Sequence, residues 1–361
     1  MLWLSSMVHL TTSRKLNSLL AYFESAANIF HASENELASA CKDAPSTAEL
    51  IRTNRSLQTL DAFMSQLEND GISYISQSDA AFPELLLNIP DPPIGLFFIG
   101  SLPDESMPKV AIIGSRQCSE YGLMAARLFA KPLAECGVVI VSGMAKGVDS
   151  MAHKGALDGK GKTIAVLGCG VDICYPKENK ALREQIINNG CVMSEYMPGV
   201  NPLPYYFPAR NRIISGLSLG VVVTEASEKS GTLITVTQAS EQGREVMAVP
   251  GNILSALSKG TNHLIRDGAA PVSDYTDILY VLGLNSRLKT DKKTDNLTIS
   301  TENLALDEKQ VYNRMSFEPI SFDMLCEQTG LEARKIHLIT TQLELKSLIK
   351  RLPGSRYIKN I

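Results

Sequence analysis

The stretch Val110-Ala111-Ile112-Ile113-Gly114-Ser115-Arg116 indicates the fold, because a short apolar run ends there in a turn of small residues. Similar runs follow, separated by segments of helical period: Val138–Val141, Thr163–Leu167, Cys191–Ser194, Gly220–Thr224 and Val246–Val249. Two more lie upstream, over Ile72–Ile75 and Gly95–Ile99. Strands that alternate with helices form a parallel sheet, and strands this apolar are covered on both faces. We therefore predict a Rossmann-like, doubly wound, mostly parallel α/β sheet.

The regions around these runs divide the chain into four predicted parts. Residues 1–68 carry Leu, Phe and Ala at helical spacing, which predicts a small helical domain. Residues 69–284 form the extended Rossmann-like domain. Residues 285–305 are polar and short of apolar side chains, which predicts a linker. Residues 306–361 regain a core pattern, and their order of helices and hairpin is that of a winged helix-turn-helix.

The composition predicts a soluble, cytoplasmic protein. At 361 residues and 44% hydrophobic content, the chain can bury a full core and form two or three domains. It has no run of about 18 uncharged apolar residues and no basic n-region at its start, so we expect neither a membrane span nor a secretory signal. The seven cysteines lack paired CxxC spacing, which argues against a disulfide framework and a zinc site. We expect no cofactor and no metal.

Charge is distributed unevenly along the chain. The net charge of −3 by itself argues against a nucleic-acid partner. Residues 1–107, however, hold 5 Lys and Arg against 13 Asp and Glu, whereas residues 108–283 hold 17 against 15 and residues 284–361 hold 13 against 10. The acidity is therefore N-terminal, and the rest of the chain is compatible with a confined basic groove.

Three turns of small residues are predicted at one edge of the sheet, where loops lead into helix N-termini with unpaired N–H donors. They are Gly114-Ser115-Arg116, the stretch Ser142–Gly147 with Gly143 and Lys146, and Ser230-Gly231-Thr232. Glycine permits close approach of the backbone, hydroxyls donate hydrogen bonds, and a guanidinium supplies charge to a phosphate. Together the turns predict an extended anionic ligand, although any one alone is equally well an ordinary αβ connection.

A further cluster, Phe207-Pro208-Ala209-Arg210-Asn211-Arg212, places an aromatic ring and two guanidiniums at a predicted helix start. The ring accepts a stacked base, and the planar forks of Arg210 and Arg212 suit phosphate oxygens, as in sites for single-stranded nucleic acid. In the alternative interpretation, Phe207 packs in a core and one arginine pairs with a carboxylate.

Familiar catalytic signatures do not occur in the sequence. There is no GxGxxG after the first core strand, no GxxxxGK[ST], no HExxH and no GxSxG. Asp149 and His153 lie one helical turn apart and could form an acid–base pair, but a structural role for the histidine is the stronger interpretation. Glu225 closes a strand and is interpreted as a carboxylate that binds loop N–H groups. We therefore predict no catalytic residue.

A series of ordered blocks occupies the central region, about residues 109–270: Val110–Arg116, Ser142–His153, Ala165–Asp172, Tyr175–Asn179, Phe207–Gly216, Ser230–Thr235 and Val249–Gly251. Together these blocks resemble the DNA processing protein A (DprA/Smf) family of bacteria. The resemblance implies a protein of natural transformation and DNA uptake rather than an enzyme. Such a protein binds and protects incoming single-stranded DNA and assists loading of the RecA recombinase for homologous recombination.

The same resemblance implies roles for individual residues. The implied DNA contacts are Ser115 and Arg116 for a phosphate, Gly143 and Lys146 for the pocket wall, Phe207, Arg210, Asn211 and Arg212 for a base and its backbone, and Lys180 for the groove. Family members dimerise at the end of the core domain, which here corresponds to His263 and to an exposed pair, Leu264 and Ile265. The N-terminal stretch Val8–Lys15 lacks the glycines of a helix-hairpin-helix, so we expect a structural or protein-docking role for it.

Two alternatives come from other functional classes. One is a nucleotide-cleaving enzyme similar to the phosphoribohydrolases that share this sheet and carry a PGGxGTxxE loop. Here the corresponding segment, Glu225–Thr232, has no glycine pair, and Thr235 occupies the position of the glutamate that ends this motif. The other is a scaffold that docks a recombinase and touches DNA only weakly.

Overall fold

A computed structural model describes residues 1–42, 44–287, 304–316, 319–346 and 348–359. Contacts divide the chain into two compact units, Met1–Lys289 and Thr290–Ile361. The predicted linker, 285–305, falls mostly outside the described residues. In the part of the chain that is described, no helix has the length and apolarity needed to cross a membrane.

Short helices build the N-terminal region, as the helical spacing predicts. They are α1 (Leu2–Ser5), α2 (Ser13–Phe23), α3 (Ala26–His31), α4 (Glu34–Ala40), α5 (Pro45–Thr53) and α6 (Leu57–Asn69). The side chains of Thr12, Ser25 and Ser33 cap α2, α3 and α4, and each such cap stabilises a helix by roughly 1 kcal/mol. The apolar faces of these helices share one buried cluster with Ile94 and Tyr206. The helical region therefore shares a buried core with residues of the α/β domain.

Nine strands in the described part of the first unit form one sheet. They are β1 (Ser73–Ser76), β2 (Gly95–Gly100), β3 (Lys109–Ile113), β4 (Val139–Ser142), β5 (Thr163–Val166), β6 (Gly190–Ser194), β7 (Gly220–Val223), β8 (Glu245–Ala248) and β9 (Ala270–Pro271). Their order is β1-β2-β6-β5-β4-β3-β7-β8-β9. Neighbours from β6 to β9 are parallel, whereas β2 is antiparallel to both β6 and β1. The predicted mostly parallel sheet is confirmed.

Helices cover both faces of this sheet. They are α7 (Glu84–Leu87), α8 (Glu120–Glu135), α9 (Val148–Asp158), α10 (Lys180–Asn189), α11 (Tyr206–Gly216), α12 (Thr232–Glu241), α13 (Lys259–Arg266) and α14 (Tyr275–Val281). Along β3, Ala111 and Ile113 join the core that α11 and α12 cover, and Val110 and Ile112 join the core that α8 covers. Each fully buried Val or Ile stabilises the fold by about 1.5–3 kcal/mol, so the uninterrupted apolar runs reflect burial on both faces.

The two upstream strands lie at one edge of the sheet. They precede β3 in the chain, yet β2 pairs with β6, with Ile99 opposite Val192. At the end of β2, Gly100 has a φ of +104°, and a Cβ there would lie 2.3 Å from the carbonyl oxygen of Gly190. Only glycine accommodates this combination of left-handed backbone and close approach, which allows β2 to leave the sheet beside β6.

The strand order reverses at β3. From β3 the chain winds in one direction through β4, β5 and β6, and after α11 it returns to place β7 against the other side of β3. At such a reversal a crevice opens outside the carboxyl ends of the strands, and it is the usual ligand site of an open α/β sheet. The turn after β3 and the loop after β7 border this crevice.

The second unit has its own core. Its elements are α15 (Leu306–Arg314), β10 (Ile320–Ser321), α16 (Phe322–Thr329), α17 (Ala333–Leu345), β11 (Ile349–Leu352) and β12 (Arg356–Lys359). The strands form a small sheet in the order β10-β12-β11, and Val311, Leu325, Ile336 and Leu343 are fully buried at the centre. The order of helices and hairpin matches the predicted winged helix-turn-helix. The two-residue strand β10 was not predicted, because its length leaves no period to detect.

Candidate nucleic-acid interface

A cleft of about 590 Å³ opens at the crevice between β3 and β7. The polar and aromatic residues that line it include Gly114, Ser115, Arg116 and Gln117 after β3, Tyr175, then Phe207, Arg210 and Asn211 of α11, and Ser230, Gly231, Thr232 and Thr235 at the start of α12. The structure thus brings together three of the predicted clusters: the first turn, the third turn and the aromatic–arginine segment.

The turn after β3 is held by the residue that follows β7. The Ser115 backbone N–H donates to the carbonyl oxygen of Glu225 over 2.9 Å, and a Cβ at Gly114 would lie 3.0 Å from that oxygen. The Glu225 carboxylate accepts hydrogen bonds from the Ser119 backbone N–H and hydroxyl, each over 2.7 Å. Glu225 therefore binds loop N–H groups, as predicted, and fixes the N-terminus of α8.

Two aromatic rings and a guanidinium meet in the cleft. The ring centroids of Phe207 and Tyr175 lie 5.4 Å apart, with 32° between the ring planes. The guanidinium carbon of Arg116 lies 5.0 Å from the Phe207 centroid, which is within cation–π range. Tyr175 is 42% exposed, and Arg116 is exposed as well. This group therefore offers ligands both an aromatic surface and a positive charge.

Arg210 forms the floor of the cleft. Only 3% of the residue is exposed, and its guanidinium donates to the carbonyl oxygens of Gly143, over 2.8 Å, and of Val166. Burial lowers the pKa of Arg210 to about 10, against the opposing effect of the Asp149 carboxylate. Burial also raises the pKa of Asp149, and the Arg210 charge acts against it. The sequence suggests that Arg210 presents its fork to a phosphate. In the structure this guanidinium is buried and donates to backbone carbonyl oxygens, so its contact with DNA stays a prediction.

Ala145 of the second predicted turn, Ser142–Gly147, lines the cleft. A Cβ at Gly143 would lie 2.6 Å from both terminal nitrogens of Arg210, so glycine makes room for the guanidinium. Lys146 forms an ion pair with Glu178 over 2.7 Å, and Lys180 is exposed at the start of α10. Gly143, Lys146 and Lys180 are not among the described residues that line the cleft. Gly143 and Lys146, expected in the pocket wall, and Lys180, expected in the groove, therefore do not line this cleft, and their contact with DNA stays a prediction.

Arg212 lies at a different place from the cleft. It lines a separate cavity of about 910 Å³ between the N-terminal helices and the pair α11 and α12. Its guanidinium donates to Glu195 over 2.5 Å and to Asp91 over 3.2 Å, and the Ser13 hydroxyl donates to the same Glu195 oxygen. Burial by itself lowers the pKa of Arg212. The charges and hydrogen bonds of the two carboxylates outweigh the effect of burial, so the pKa of Arg212 is raised. Arg212 thus pairs with carboxylates, as in the alternative interpretation of the sequence, and its expected contact with DNA stays a prediction.

The third predicted turn borders the cleft with a small-residue rim. The Ser230 hydroxyl donates to the Thr232 hydroxyl over 2.9 Å and accepts from the Thr232 backbone N–H over 3.2 Å. A Cβ at Gly231 would meet no described atom within 4 Å. The turn is therefore open to an approaching ligand.

His153 is a structural residue, as predicted. It is fully buried, and its Nδ1 lies 2.7 Å from the Thr163 hydroxyl. That hydroxyl donates to the Ile140 carbonyl oxygen over 2.7 Å, so it accepts from Nδ1–H of a neutral ring. Burial, assisted by the Arg210 charge, lowers the pKa of His153 to about 3. A ring this hard to protonate is unsuited to acid–base catalysis near neutral pH.

The sequence matches two families of known proteins. Residues 73–283 match DNA recombination-mediator protein A, and residues 298–355 match the DprA winged helix domain. The chain belongs to the DNA processing protein A family. The predicted family and the winged-helix assignment are both confirmed.

Relatives in this family extend over most of the chain. DNA processing protein DprA of Streptococcus pneumoniae is 48% identical over 225 residues, which cover 62% of this chain and 79% of the relative. Protein Smf of Escherichia coli is 36% identical over 299 residues, which cover 82% of this chain and 80% of the relative.

Solved structures of family members have the same fold. The crystal structure of the Streptococcus pneumoniae protein superposes with a TM-score of 0.66 at 41% identity and covers 74% of this chain and 93% of that protein. A second structure is that of DNA processing protein A from Helicobacter pylori, which is described for its single-stranded DNA binding mode. It gives a TM-score of 0.53 at 31% identity and covers 58% of this chain and 95% of that protein.

The segment expected at a family dimer interface lies in α13. His263, Leu264 and Ile265 are all partly buried, and Leu264 packs against the sheet core. The Nε2 atom of His263 lies 3.8 Å from a carboxylate oxygen of Glu228. The expected exposed pair, Leu264 and Ile265, is therefore partly covered in this eight-residue helix, and its place in a dimer interface stays a prediction.

Sequence reasoning missed Tyr175 and Gln117 as cleft residues. Tyr175 follows Cys174 and precedes Pro176 in a loop, where no period assigns its direction. Its position at the start of Tyr175–Asn179, one of the blocks that resemble the family, is the sequence feature that could have identified it. Gln117 directly follows the turn Gly114-Ser115-Arg116, so a wider window around that turn would have included it.

Proposed function

We propose that this protein binds single-stranded DNA in the cleft between β3 and β7. The observation that carries the proposal is the grouping of an exposed guanidinium, Arg116, with the rings of Phe207 and Tyr175. A backbone phosphate binds Arg116 and the N–H and hydroxyl groups of the two bordering turns, while a base stacks on the aromatic surface. The description of the Helicobacter pylori relative as a single-stranded DNA binder supports the same assignment.

Binding in this cleft has a characteristic dependence on sequence and salt. Every base has a π-face, so stacking tolerates any sequence and contributes about 1–3 kcal/mol per base. Phosphate contacts release counterions, so affinity falls as salt rises, with a slope of about −0.7 per neutralised phosphate for single strands. A duplex keeps its bases stacked on each other, so it gains only the phosphate term. We therefore expect the protein to prefer single strands.

At the level of the cell, we propose a role in recombination of incoming DNA. The family name, a recombination mediator, supports assistance to a recombinase, and we assign RecA as that partner. The protein then protects single-stranded DNA during natural transformation and passes it to RecA. We further propose that it acts in the cytoplasm as a homodimer joined through α13, which would place two clefts on one particle and increase affinity for long strands.

The proposal treats the protein as a DNA-binding mediator and not as an enzyme. The acid–base candidates support this view, because His153 is neutral and buried and Glu225 is engaged with Ser119. Incubation with nucleoside monophosphates tests the phosphoribohydrolase alternative directly. Release of free base would support that enzyme, and intact nucleotide is the expected result.

The test of the binding function is an affinity measurement with matched single-stranded and double-stranded oligonucleotides over a salt series. We expect tighter binding of the single strand at every salt concentration and a uniform loss of affinity in Arg116→Ala across sequences. Arg52→Ala is the control, since Arg52 is an exposed arginine in α5 paired with Glu49. Equal affinity for both forms of DNA, or a wild-type affinity in the Arg116→Ala variant, would contradict the proposal.

A further inference from the structure

We propose that Arg116 and a DNA base exchange places on the Phe207 ring, and that Tyr175 is the second stacking surface of the cleft. The inference rests on the proposed function, since it concerns how the strand is held. In the structure the Arg116 guanidinium lies 5.0 Å from the Phe207 centroid, at the place where a base stacked on that ring would lie.

Several protein groups surround the Phe207 ring, and the exposed Arg116 is one of them. A Cβ at Gly168 would lie 3.0 Å from Cδ1 of Phe207, so the ring packs against the Gly168 backbone there. The Tyr175 ring occupies another side, at 5.4 Å. The Arg210 guanidinium, buried in the floor, lies 6.0 Å from the Phe207 centroid. Arg116 is exposed, so it can move from the ring without disturbing the core.

The exchange is favourable for both partners. A cation–π contact at an exposed site is weaker than a base stacked on an aromatic ring. The displaced guanidinium gains a charge-assisted hydrogen bond to the phosphate of the same strand. Arg116 therefore covers the ring in the free protein and binds the backbone in the complex.

Tyr175 borders the base that takes this place. Its ring is 42% exposed and inclined by 32° to Phe207. The loop that carries it is anchored nearby, because the Asn179 amide donates to the Met144 carbonyl oxygen and to the Ser150 hydroxyl, each over 2.8 Å. Because the loop is anchored, the Tyr175 backbone loses less freedom when a base stacks on the ring, which favours stacking.

Stacking is tested with an oligonucleotide that carries 2-aminopurine at one position and fluorescein at one end. Anisotropy reports binding, and quenching of 2-aminopurine reports stacking. We expect Tyr175→Leu to bind about five- to one-hundred-fold more weakly with reduced quenching, and Tyr175→Phe, which keeps the ring, to restore most of both. Tyr280→Leu is the matched control, because Tyr280 is 75% exposed on α14. Wild-type affinity and quenching in Tyr175→Leu would overturn the stacking role.

The exchange itself is tested by the salt dependence of Arg116→Ala. If Arg116 reaches a phosphate in the complex, its removal reduces the slope of log affinity against log salt by about 0.7. A weaker affinity with an unchanged slope would show that Arg116 stays on the ring, which overturns the exchange. Failure of the wild-type protein to bind the labelled strand would instead contradict the proposed function. The two failures are therefore distinguishable.

Discussion

The Arg212 guanidinium donates to the Glu195 carboxylate over 2.5 Å and thereby joins α11 to the residue that follows β6. Asp91 completes this buried network over 3.2 Å. The network fixes α11 from the side of the large cavity, while Arg210, two residues earlier, fixes the same helix from the side of the cleft. Two arginines therefore hold α11, and Arg210 holds it on the side of the cleft, where Phe207 lies.

Replacement of Arg212 by alanine is expected to affect stability more than binding. It leaves the buried Glu195 carboxylate and the partly buried Asp91 carboxylate without their cation, which lowers the free energy of unfolding by about 3–5 kcal/mol. Urea denaturation measures this change, with Arg52→Ala as the exposed control. At temperatures where the variant is folded, affinity for single-stranded DNA should remain near that of the wild type. Normal stability combined with lost binding would show that Arg212 contacts DNA after all.

Replacement of Gly143 by alanine should disturb the floor of the cleft. The added methyl group would lie 2.6 Å from two nitrogens of Arg210, and overpacking of a buried site lowers stability by about 1–3 kcal/mol. Gly231→Ala is the matched control for stability, since a Cβ there meets open space at a φ of −60°. The melting temperature of Gly143→Ala should therefore be clearly lower than that of Gly231→Ala. Equal melting temperatures would contradict the packing described for Arg210.

Replacement of Glu225 by alanine should loosen the turn that carries Arg116. The variant loses the acceptor of the Ser119 backbone N–H and hydroxyl, and loss of a helix cap of this kind lowers stability by about 0.5–2 kcal/mol. Because the same residue borders the turn after β3, affinity for single-stranded DNA should fall as well. A variant with reduced stability and unchanged affinity would show that the turn keeps its shape without this carboxylate.

His153 makes the fold sensitive to acid. The pKa of its ring is lowered from an ordinary value of 6.5 to about 3 in the folded protein. Below pH 6.5 the unfolded chain therefore binds a proton that the folded chain does not, and stability falls as pH is lowered toward 3. Within that window, each unit by which the pH falls lowers the free energy of unfolding by about 1.4 kcal/mol through this group. Denaturation of His153→Leu between pH 7 and 4 should show a flatter profile, and parallel profiles would contradict the assignment.

The fold could be predicted from the sequence to a large extent. The apolar runs from Val110 to Val249 required burial on both faces, and helices between them required a parallel sheet. The pairing of β2 with β6 could not be predicted, because it depends on the close approach of Gly100 to Gly190 and not on a period. The small-residue turns placed the cleft correctly, since turns after neighbouring strands converge at one edge.

The site was predicted less completely than the fold. Sequence placed Phe207, Arg210 and Arg212 in one cluster because they are close in the chain. In α11, however, successive side chains point in different directions, so Arg212 faces another cavity and Arg210 turns into the floor. Tyr175 arrives from a distant loop, and only the tertiary fold brings it to Phe207.

The most direct test of the account is photo-crosslinking of a single-stranded oligonucleotide that carries 5-bromodeoxyuridine, followed by mass spectrometry of the crosslinked peptides. We predict crosslinks to the peptides that contain Tyr175 and Phe207, and their loss in Arg116→Ala at moderate salt. Crosslinks confined to the unit Thr290–Ile361, or to the N-terminal helices, would contradict the claim that the cleft between β3 and β7 holds the strand.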